Sequence, residues 1–407
     1  MLRRLNWIVI TTIFWYLCSS LTLAETKKPE ELDKFPPGPL EITTPDPLLP
    51  PLVDKQPLSL AELQRLETAL DELNQQATAT LQAGDRETAF NIWNRELRLR
   101  RFLGTLTEIQ ALGRVGAIAW NENERQEVRY ITQRLQVVEK QMLKEKSADL
   151  ELWRSLGTAY QQIRYPQLAL AAYEQILPLV RKQQDPTAEL ETLETIAELH
   201  VSWFDYSLAG KTYQELLNLV TARGDSINQV KYLQKLAYIY EQGKQRQQAI
   251  EVLNKLVDIY TNENNLTSVA ELKLAIASNY EILAKENPNL LQNAFDTYQE
   301  AYTIAWQLQQ YVRASEALEK LISLYRSQKQ IDAALQASQI LVETQTLASN
   351  FYGLMQAYDQ IGQLHLERQE YPQALTAFQQ GLQLAKQLKH QESYFTQQIE
   401  KISPVRN

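Results

Sequence analysis

The stretch WRSLGTAYQQIRYPQLALAAYEQILP at residues 153–178 decides the fold of this chain. Within it, Trp153, Leu156, Gly157 and Tyr160 stand three or four residues apart or directly adjacent. Side chains at these spacings share one face of an α-helix, so the stretch begins with a predicted helix that has one apolar side.

A second helix is predicted directly after the first. The tripeptide YPQ stands at residues 165–167 and again at residues 371–373. Proline suits the first turn of a helix because the amide hydrogen that it lacks would be unpaired there. We therefore expect second helices to begin near Pro166 and Pro372.

This two-helix pattern recurs with a period near 40 residues. The clear copies are Trp153, Leu156, Gly157, Tyr160, Ala169 and Tyr173; Leu193, Ile196, Ala197, His200, Ala209 and Tyr213; Leu233, Leu236, Ala237, Tyr240, Ala249 and Leu253; and Tyr358, Ile361, Gly362, His365, Ala374 and Phe378. Weaker copies are Leu73, Ala77, Ala89 and Trp93; Leu112, Val115, Gly116, Ala119, Val128 and Leu135; Ala277, Tyr280, Ala294 and Tyr298; and Leu318, Leu321, Tyr325 and Ala334. Together they predict eight helix pairs, with an insertion around Asn287-Pro288-Asn289.

The small residues of the pattern have a steric explanation. We expect the two helices of a pair to cross where both side chains are small. The predicted crossing positions are Gly157, Ala197, Ala237, Ala277 and Gly362 on first helices, and Ala169, Ala209, Ala249, Ala294, Ala334 and Ala374 on second helices.

The order of residues resembles that of the tetratricopeptide repeat family. The usual repeat of that family has about 34 residues, and the longer period here is similar to that of kinesin light chain solenoids. The resemblance implies an all-α, right-handed superhelical α-solenoid of about eight helix pairs, which we place at residues 59–402. Ser59 is the predicted N-cap of its first helix because Glu62 follows three residues later.

Residues 1–24 are predicted to be a signal peptide with cleavage near Ala24. Arg3 and Arg4 precede an apolar stretch that begins at Trp7. An uncleaved membrane anchor is the alternative, because the apolar stretch approaches spanning length. Lipidation of Cys18 is not favoured, since large residues rather than small ones precede it.

Residues 25–58 contain nine of the 15 prolines and are predicted to be a disordered, solvated linker. Cys18 is the only cysteine, so the chain after Ala24 has none and can form no disulfide. The bulk of the chain is thus expected to be exported and stabilised by packing alone.

Charge and motifs argue against several functions. The net charge of -8 and pI near 5.3 do not favour a nucleic-acid partner. His200 and His365 replace the first-helix tyrosine and are expected to be core or half-core residues. No phosphate-binding loop or Cys/His metal spacing is present in the sequence. We therefore predict no catalytic residue, no metal site and no cofactor.

The predicted functional surface is the concave groove, which first helices line in such solenoids. The predicted groove positions are Arg154, Thr158, Gln161, Glu191, Glu194, Glu198, Gln234, Tyr238, Glu241, Glu281 and Glu319. The groove positions hold mostly Glu, Gln and Ser. The two-carboxylate clamp known in the family uses lysines and asparagines instead, so that mode of binding is not expected.

Glu191, Glu194 and Glu198 share one helix face and are predicted to form a stripe of carboxylates without compensating cations. Such a stripe would attract a basic peptide, or a divalent cation such as calcium or manganese. An ordinary solvated helix face is the simpler interpretation of the same residues.

Trp203 and Phe204 stand in a turn where polar residues are expected. They are predicted either to pack under the neighbouring repeat or to anchor a partner as exposed aromatic side chains.

The leading functional prediction is a non-catalytic protein-binding scaffold or assembly factor that holds a protein or peptide segment in its groove. A divalent-metal-binding or metal-delivery protein is the alternative. The chain resembles exported bacterial tetratricopeptide proteins, and its glutamine-rich repeats resemble cyanobacterial ones. That resemblance implies the periplasm, the thylakoid lumen or the extracellular space, with photosystem assembly as one process.

Overall fold

A computed structural model describes residues 38–42, 45–49 and 58–402 of the chain. Every regular element within these residues is helical, and none of them forms a strand. The predicted all-α fold is therefore confirmed. The predicted signal peptide at residues 1–24 lies outside the described residues.

The helices follow one another with short connections. Those of the first part are α1 (Leu60–Gln82), α2 (Arg86–Arg100), α3 (Thr105–Asn121), α4 (Arg125–Lys144), α5 (Leu150–Gln162) and α6 (Pro166–Gln183). Those of the second part are α7 (Pro186–Ser202), α8 (Tyr206–Ala222), α9 (Ser226–Gln242), α10 (Arg246–Asn262), α11 (Leu266–Ala284), α12 (Leu291–Gln307), α13 (Tyr311–Ser327), α14 (Ile331–Leu347), α15 (Phe351–Glu367), α16 (Tyr371–Leu388) and α17 (Glu392–Ile402). Short 3₁₀ helices lie at Arg101–Leu103 and Pro288–Leu290, the second within the predicted insertion.

In chain order these helices form eight pairs, from α1 and α2 to α15 and α16, followed by α17. The chain divides within α6 into two compact units, one up to Ala172 and one from Tyr173. We describe each unit by itself. The right-handed sense of the predicted solenoid stays a prediction.

The predicted crossing positions are buried on both helices of each pair. On first helices, Ala197 and Ala277 are 0% exposed, and the glycines Gly157 and Gly362 are buried as well. On second helices, all six alanines are 0% exposed: Ala169, Ala209, Ala249, Ala294, Ala334 and Ala374. The small residues are therefore where the helices approach each other, as the sequence predicts.

The turns between helices repeat one hydrogen-bonding scheme. After α7, the amide of Phe204 donates to the carbonyl of Val201 at 2.9 Å, and the amide of Asp205 donates to the carbonyl of His200 at 2.9 Å. Phe204 has a left-handed backbone with φ 60°. This is the Schellman arrangement, which pairs carbonyl groups at the end of a helix that would otherwise have no partner.

The last residue of each such turn also starts the next helix. Asp205 accepts a hydrogen bond from the amide of Leu208 and so caps α8. Asp185 and Asp225 cap α7 and α9 in the same way. One aspartate therefore closes the preceding turn through its backbone and begins the following helix through its side chain.

The predicted helix starts at serine and proline are confirmed. Ser59 caps α1, its side chain accepting from the amide of Glu62, while the Glu62 carboxylate accepts from the amide of Ser59 at 2.7 Å. Pro166 is the first residue of α6, and Pro372 lies in the first turn of α16.

Part of the proline-rich stretch is packed rather than solvated. Leu40 is only 2% exposed, and Asp46 forms two hydrogen bonds with the guanidinium of Arg95, at 2.7 and 2.8 Å. Arg98 donates to the carbonyl of Pro39 at 2.6 Å. Residues 38–42 and 45–49 are therefore not the disordered linker that the sequence predicts. Arg95 and Arg98 of α2 bind the carboxylate of Asp46 and the carbonyl of Pro39, which were expected to face solvent. The rest of residues 25–58, apart from Leu58, lies outside the described part.

Buried charges connect the first helices of the chain. Glu96 is 0% exposed and binds Arg100 at 3.0 Å and Arg114 at 2.6 Å. Arg100 also binds Asp71 on α1 at 2.6 Å. A buried carboxylate needs such partners to remain charged, so this network fixes how α1, α2 and α3 pack.

Candidate functional site

The predicted groove positions lie on first helices, in two units that are treated separately. In the first unit, Arg154 and Thr158 are exposed and Gln161 is half-buried on α5. In the second unit, the first-helix face comprises Glu191, Glu194 and Glu198 on α7, Gln234, Tyr238 and Glu241 on α9, Glu281 on α11 and Glu319 on α13. All of these are exposed or half-buried.

Glu194 is held by two side chains of the next first helix. Its Oε1 atom accepts hydrogen bonds from the Nζ atom of Lys231 and from the hydroxyl of Tyr232, the latter at 2.7 Å. Both partners belong to α9. Burial and this carboxylate raise the pKa of Tyr232 above its ordinary value.

Glu198 is held in the same manner. Its Oε1 atom accepts from the Nζ atom of Lys235 at 2.8 Å and from the hydroxyl of Tyr213. Partial burial works to raise the pKa of Glu198, but the hydrogen bonds from Lys235 and Tyr213 outweigh it and bring the pKa below its ordinary value.

The interpretation of α7 as carrying an uncompensated carboxylate stripe is therefore wrong. Lys231 and Lys235 neutralise Glu194 and Glu198 and join α7 to α9. Each lysine follows its glutamate by 37 residues. That distance is one repeat less about one helical turn, so each lysine stands about one turn before the position that is equivalent to its glutamate. The spacing reveals the pairing only once the placement of successive first helices is known.

The middle of α9 presents an aromatic side chain between fixed polar groups. Tyr238 keeps 49% of its surface exposed. One helical turn before it, the amide of Gln234 donates to the hydroxyl of Tyr260 at 2.8 Å. One turn after it, Glu241 accepts from the amide of Asn279 at 3.3 Å. The neighbours of Tyr238 are thus held in place by other helices while its ring remains open.

Carboxylates further along the face also accept hydrogen bonds from second helices. Glu281 accepts from the hydroxyl of Tyr298 at 2.8 Å, and burial together with that carboxylate raises the pKa of Tyr298. Glu319 accepts from the amide of Gln345 at 3.2 Å, and burial raises the pKa of Glu319. These hydrogen bonds join first helices to the second helices that follow them.

The two predicted aromatic anchors are exposed. Trp203 is 50% exposed and Phe204 is 75% exposed. The ring of Phe204 contacts only the edge of Tyr206 among the aromatic side chains of the described residues, at a centroid distance of 6.3 Å. The interpretation that both pack under the neighbouring repeat is therefore wrong, since each keeps at least half of its surface exposed.

The histidines have structural surroundings. His200 and His365 are half-buried, as expected from their place in the repeat. Burial lowers the pKa of His200, while Nδ1 of His365 lies 2.7 Å from a carboxylate oxygen of Glu370 in the following turn. His390 is exposed and lies against the ring of Tyr352 at 5.5 Å.

The described residues offer no assembled metal site. Nowhere in residues 38–42, 45–49 and 58–402 do three or more histidine, cysteine, aspartate or glutamate side chains form a group that could hold a metal ion. Glu194 and Glu198, which the metal-binding alternative would use, are engaged by lysine and tyrosine. The same part of the chain also contains no helix with the length and apolar character needed to cross a bilayer.

Comparison with known proteins identifies one repeat directly. Residues 230–263 match the family model described as tetratricopeptide repeat. This range covers most of α9 and α10, one of the four clear copies in the sequence. No curated protein matches the chain by sequence.

Several solved structures resemble the chain in fold. BtubC from P. vanneervenii is 18% identical, with 55% of this chain and 92% of that chain covered at a TM-score of 0.37. A putative kinesin light chain from Podosopora anserina with TPR-like repeats is 16% identical, with 50% and 98% covered at a TM-score of 0.35. A signal transduction ATPase from Pyrococcus horikoshii with a tetratricopeptide repeat sensor is 18% identical, with 77% and 43% covered at a TM-score of 0.35.

Proposed function

We propose that this chain, whose residues 230–263 match the tetratricopeptide repeat model, is a non-catalytic protein-binding scaffold that works outside the cytoplasm. Its binding surface is the first-helix face of the second unit, and its partner is a protein or peptide segment. A stable complex of this kind would bury on the order of 1,200–2,000 Å² in total.

One observation carries the proposal: the open ring of Tyr238 among side chains that are already fixed. Tyrosine is enriched in binding hot spots because it buries a large area and loses little conformational entropy. Gln234 and Glu241 flank the ring and are held by Tyr260 and Asn279. A surface that is fixed before binding loses less entropy when the partner arrives.

The chemistry of the partner follows from the charge balance of this face. Lys231 and Lys235 stand in the same row as Glu194 and Glu198, so the face between α7 and α9 has no excess of either sign from these four groups. A strongly basic segment would have to compete with two lysines there. We therefore propose a segment of mixed polarity with an apolar or aromatic side chain for Tyr238, and with Trp203 and Phe204 as further contacts.

Site-specific photocrosslinking tests this surface. A photoreactive phenylalanine at position 238 should give a discrete adduct in the native host, because a bound segment would lie against this ring. The same group at Lys255 is the control, since that residue is exposed on the second helix α10. Equal adducts at both positions, or none at position 238, would contradict the proposal.

The adduct then permits a quantitative test. Tyr238→Ala should weaken binding of the crosslinked partner by a factor of about 30, as expected for a hot-spot residue worth about 2 kcal/mol. Tyr238→Phe retains the ring and should bind within a few-fold of the parent.

Export is part of the proposal and has its own test. Residues 1–24 have the order of a signal peptide, so the protein recovered from the periplasm, thylakoid lumen or medium should begin at Glu25. An intact N-terminus on protein retained in the cytoplasm would refute this part, without bearing on the binding surface.

A further inference from the structure

The outward face of α4 is cationic and partly apolar, in a chain whose net charge is -8. We call this surface the α4 face and define it by six exposed residues whose positions fall on one side of the helix: Arg125, Arg129, Val137, Lys140, Leu143 and Lys144. Val137 and Leu143, which lie beside these cations, are 48% and 47% exposed.

The two acidic residues within α4 are half-buried and bonded to side chains of other helices. Glu127 accepts a hydrogen bond from the amide of the buried Asn94 at 3.1 Å, and burial raises its pKa. Glu139 accepts from the hydroxyl of Tyr160 at 2.7 Å. The exposed Glu145, which follows α4, accepts from the side-chain amide of Gln141. Among the described residues, no carboxylate is recorded within ion-pair distance of the four cations of the α4 face, in contrast to the paired Arg95 and Arg100 of α2.

Residues 38–42 lie beside α4. Gly38 packs against the ring of Tyr130 on α4, and the guanidinium of Arg101 donates to the carbonyl of Leu40. Residues 25–37 can bridge at most about 45 Å when fully extended. An apolar stretch retained at residues 7–24 would therefore be tethered within about that distance of Gly38.

We propose that the α4 face docks on the surface of a bilayer that contains anionic lipids. The four cations bind lipid phosphates, and Val137 and Leu143 enter the boundary between headgroups and acyl chains. A helix with cations on one side and apolar side chains beside them has the chemistry of an interfacial helix. Each lysine or arginine near an anionic membrane strengthens binding about fivefold.

Vesicle flotation with the chain that begins at Glu25 tests the proposal, since this chain contains every residue that the structure describes. It should float with phosphatidylcholine vesicles that contain phosphatidylglycerol and remain behind with phosphatidylcholine alone. Binding should be lost in about 1 M NaCl, where the Debye length falls to about 3 Å. Equal binding to both kinds of vesicle, or to neither, would overturn the proposal.

A charge-neutralised variant locates the surface. Arg129→Gln, Lys140→Gln and Lys144→Gln together should weaken partitioning about 100-fold. The matched control neutralises three exposed lysines of the second unit, Lys244, Lys255 and Lys329, and should bind as the parent does. Unchanged binding of the first variant would exclude the α4 face, and circular dichroism verifies that both variants remain helical.

Binding to polyglutamate tests the alternative that the α4 face binds an acidic protein. If the parent chain binds polyglutamate through the same three residues but does not float with anionic vesicles, the α4 face serves an acidic protein and the membrane proposal fails. Because Tyr238 lies in the other unit, neither result changes the photocrosslinking expected at that residue.

Discussion

At the scale of single residues, the turns of the second unit place a side chain where the backbone disfavours one. The residue before each cap has a positive φ in turn after turn, for example Phe204, Lys244, Gln309, Lys329 and Gln369. Only Gly224 provides the glycine that such a position favours. A side chain in this conformation costs about 1–2 kcal/mol, so most turns of the stack retain local strain.

Gln369→Gly should therefore stabilise the protein. Gln369 has φ 62° and is exposed, and the hydrogen bonds of its turn come from backbone atoms that the change retains. We expect a gain of about 0.5–1 kcal/mol in the free energy of unfolding, because part of the relief is offset by greater freedom of the unfolded chain.

The measurement is urea unfolding followed by circular dichroism. Gln369→Ala is the control, since alanine keeps the Cβ atom and should give no comparable gain. A stability equal to or below that of the parent for the glycine variant would show that this turn is not strained.

The sequence predicts single residues least well where one pattern is compatible with both burial and exposure of the side chain. Trp203 and Phe204 are large and apolar, which favours burial, but both stand in the turn after α7 and are exposed. Hydrophobicity alone does not reveal this exposure. Asp46 likewise looked solvated, because its partner Arg95 lies 49 residues away in the sequence.

At the scale of elements, the second unit is built from helices of nearly constant length. From α7 to α10 each helix has 17 residues, and three residues connect it to the next. As a result, buried side chains recur every 20 residues: Leu216, Leu236, Leu256 and Ile276 are each at most 2% exposed. A period near 40 in the sequence thus corresponds to two helices of equal length.

The crossing of α15 and α16 permits a direct test of the small-residue rule. A Cβ atom built on Gly362 would lie 2.6 Å from Cε1 of Phe378, closer than real atoms approach. Gly362→Leu should therefore destabilise the protein by about 1–3 kcal/mol. Gln356→Leu, at an exposed position of the same helix, should change stability by no more than about 0.5 kcal/mol.

Thermal unfolding of both variants distinguishes the interpretations. If Gln356→Leu costs as much as Gly362→Leu, then the effect arises from leucine in the helix rather than from the crossing. A tolerated Gly362→Leu would mean that Phe378 can move aside.

The helices and their crossings could be predicted from the sequence, whereas the contacts between repeats could not. Helix periodicity and small residues act within about 40 residues, and the pattern of one pair is repeated often enough to be recognised. The ion pairs of Glu194 and Glu198 require knowledge of how one first helix is placed beside the next. The carboxylates that the sequence assigned to a ligand are instead bound by side chains of the neighbouring repeat.

At the scale of the whole molecule, a repeat protein gains stability from neighbours rather than from one central core. The last helix pair has no following repeat to bury its apolar face, and α17 packs against that face instead. Phe395 of α17 is 0% exposed and packs against Gly381 of α16. Around it, Met355, Phe378 and Ala385 form one buried cluster.

Phe395→Ala should destabilise the end of the stack selectively. Removing a buried phenylalanine side chain costs about 3–5 kcal/mol. We expect amide hydrogen exchange to become faster in α15, α16 and α17 and to remain unchanged in α7 and α8, because each repeat contacts only its neighbours. Phe395→Leu retains most of the volume and should show a smaller effect in the same helices. Equally faster exchange throughout the second unit would show that its helices unfold together.

In each turn, one residue both closes the preceding helix and begins the following one. This arrangement limits how the gene for such a protein can change in length. Losing twenty codons would delete one helix and reverse the running direction of every helix after it, so that outward side chains would face inward. Losing forty would remove a pair and leave the remaining order intact. Viable variants of different length should therefore differ by whole pairs, or by additions at the link between α11 and α12, which is the longest link of the second unit and contains the short helix Pro288–Leu290.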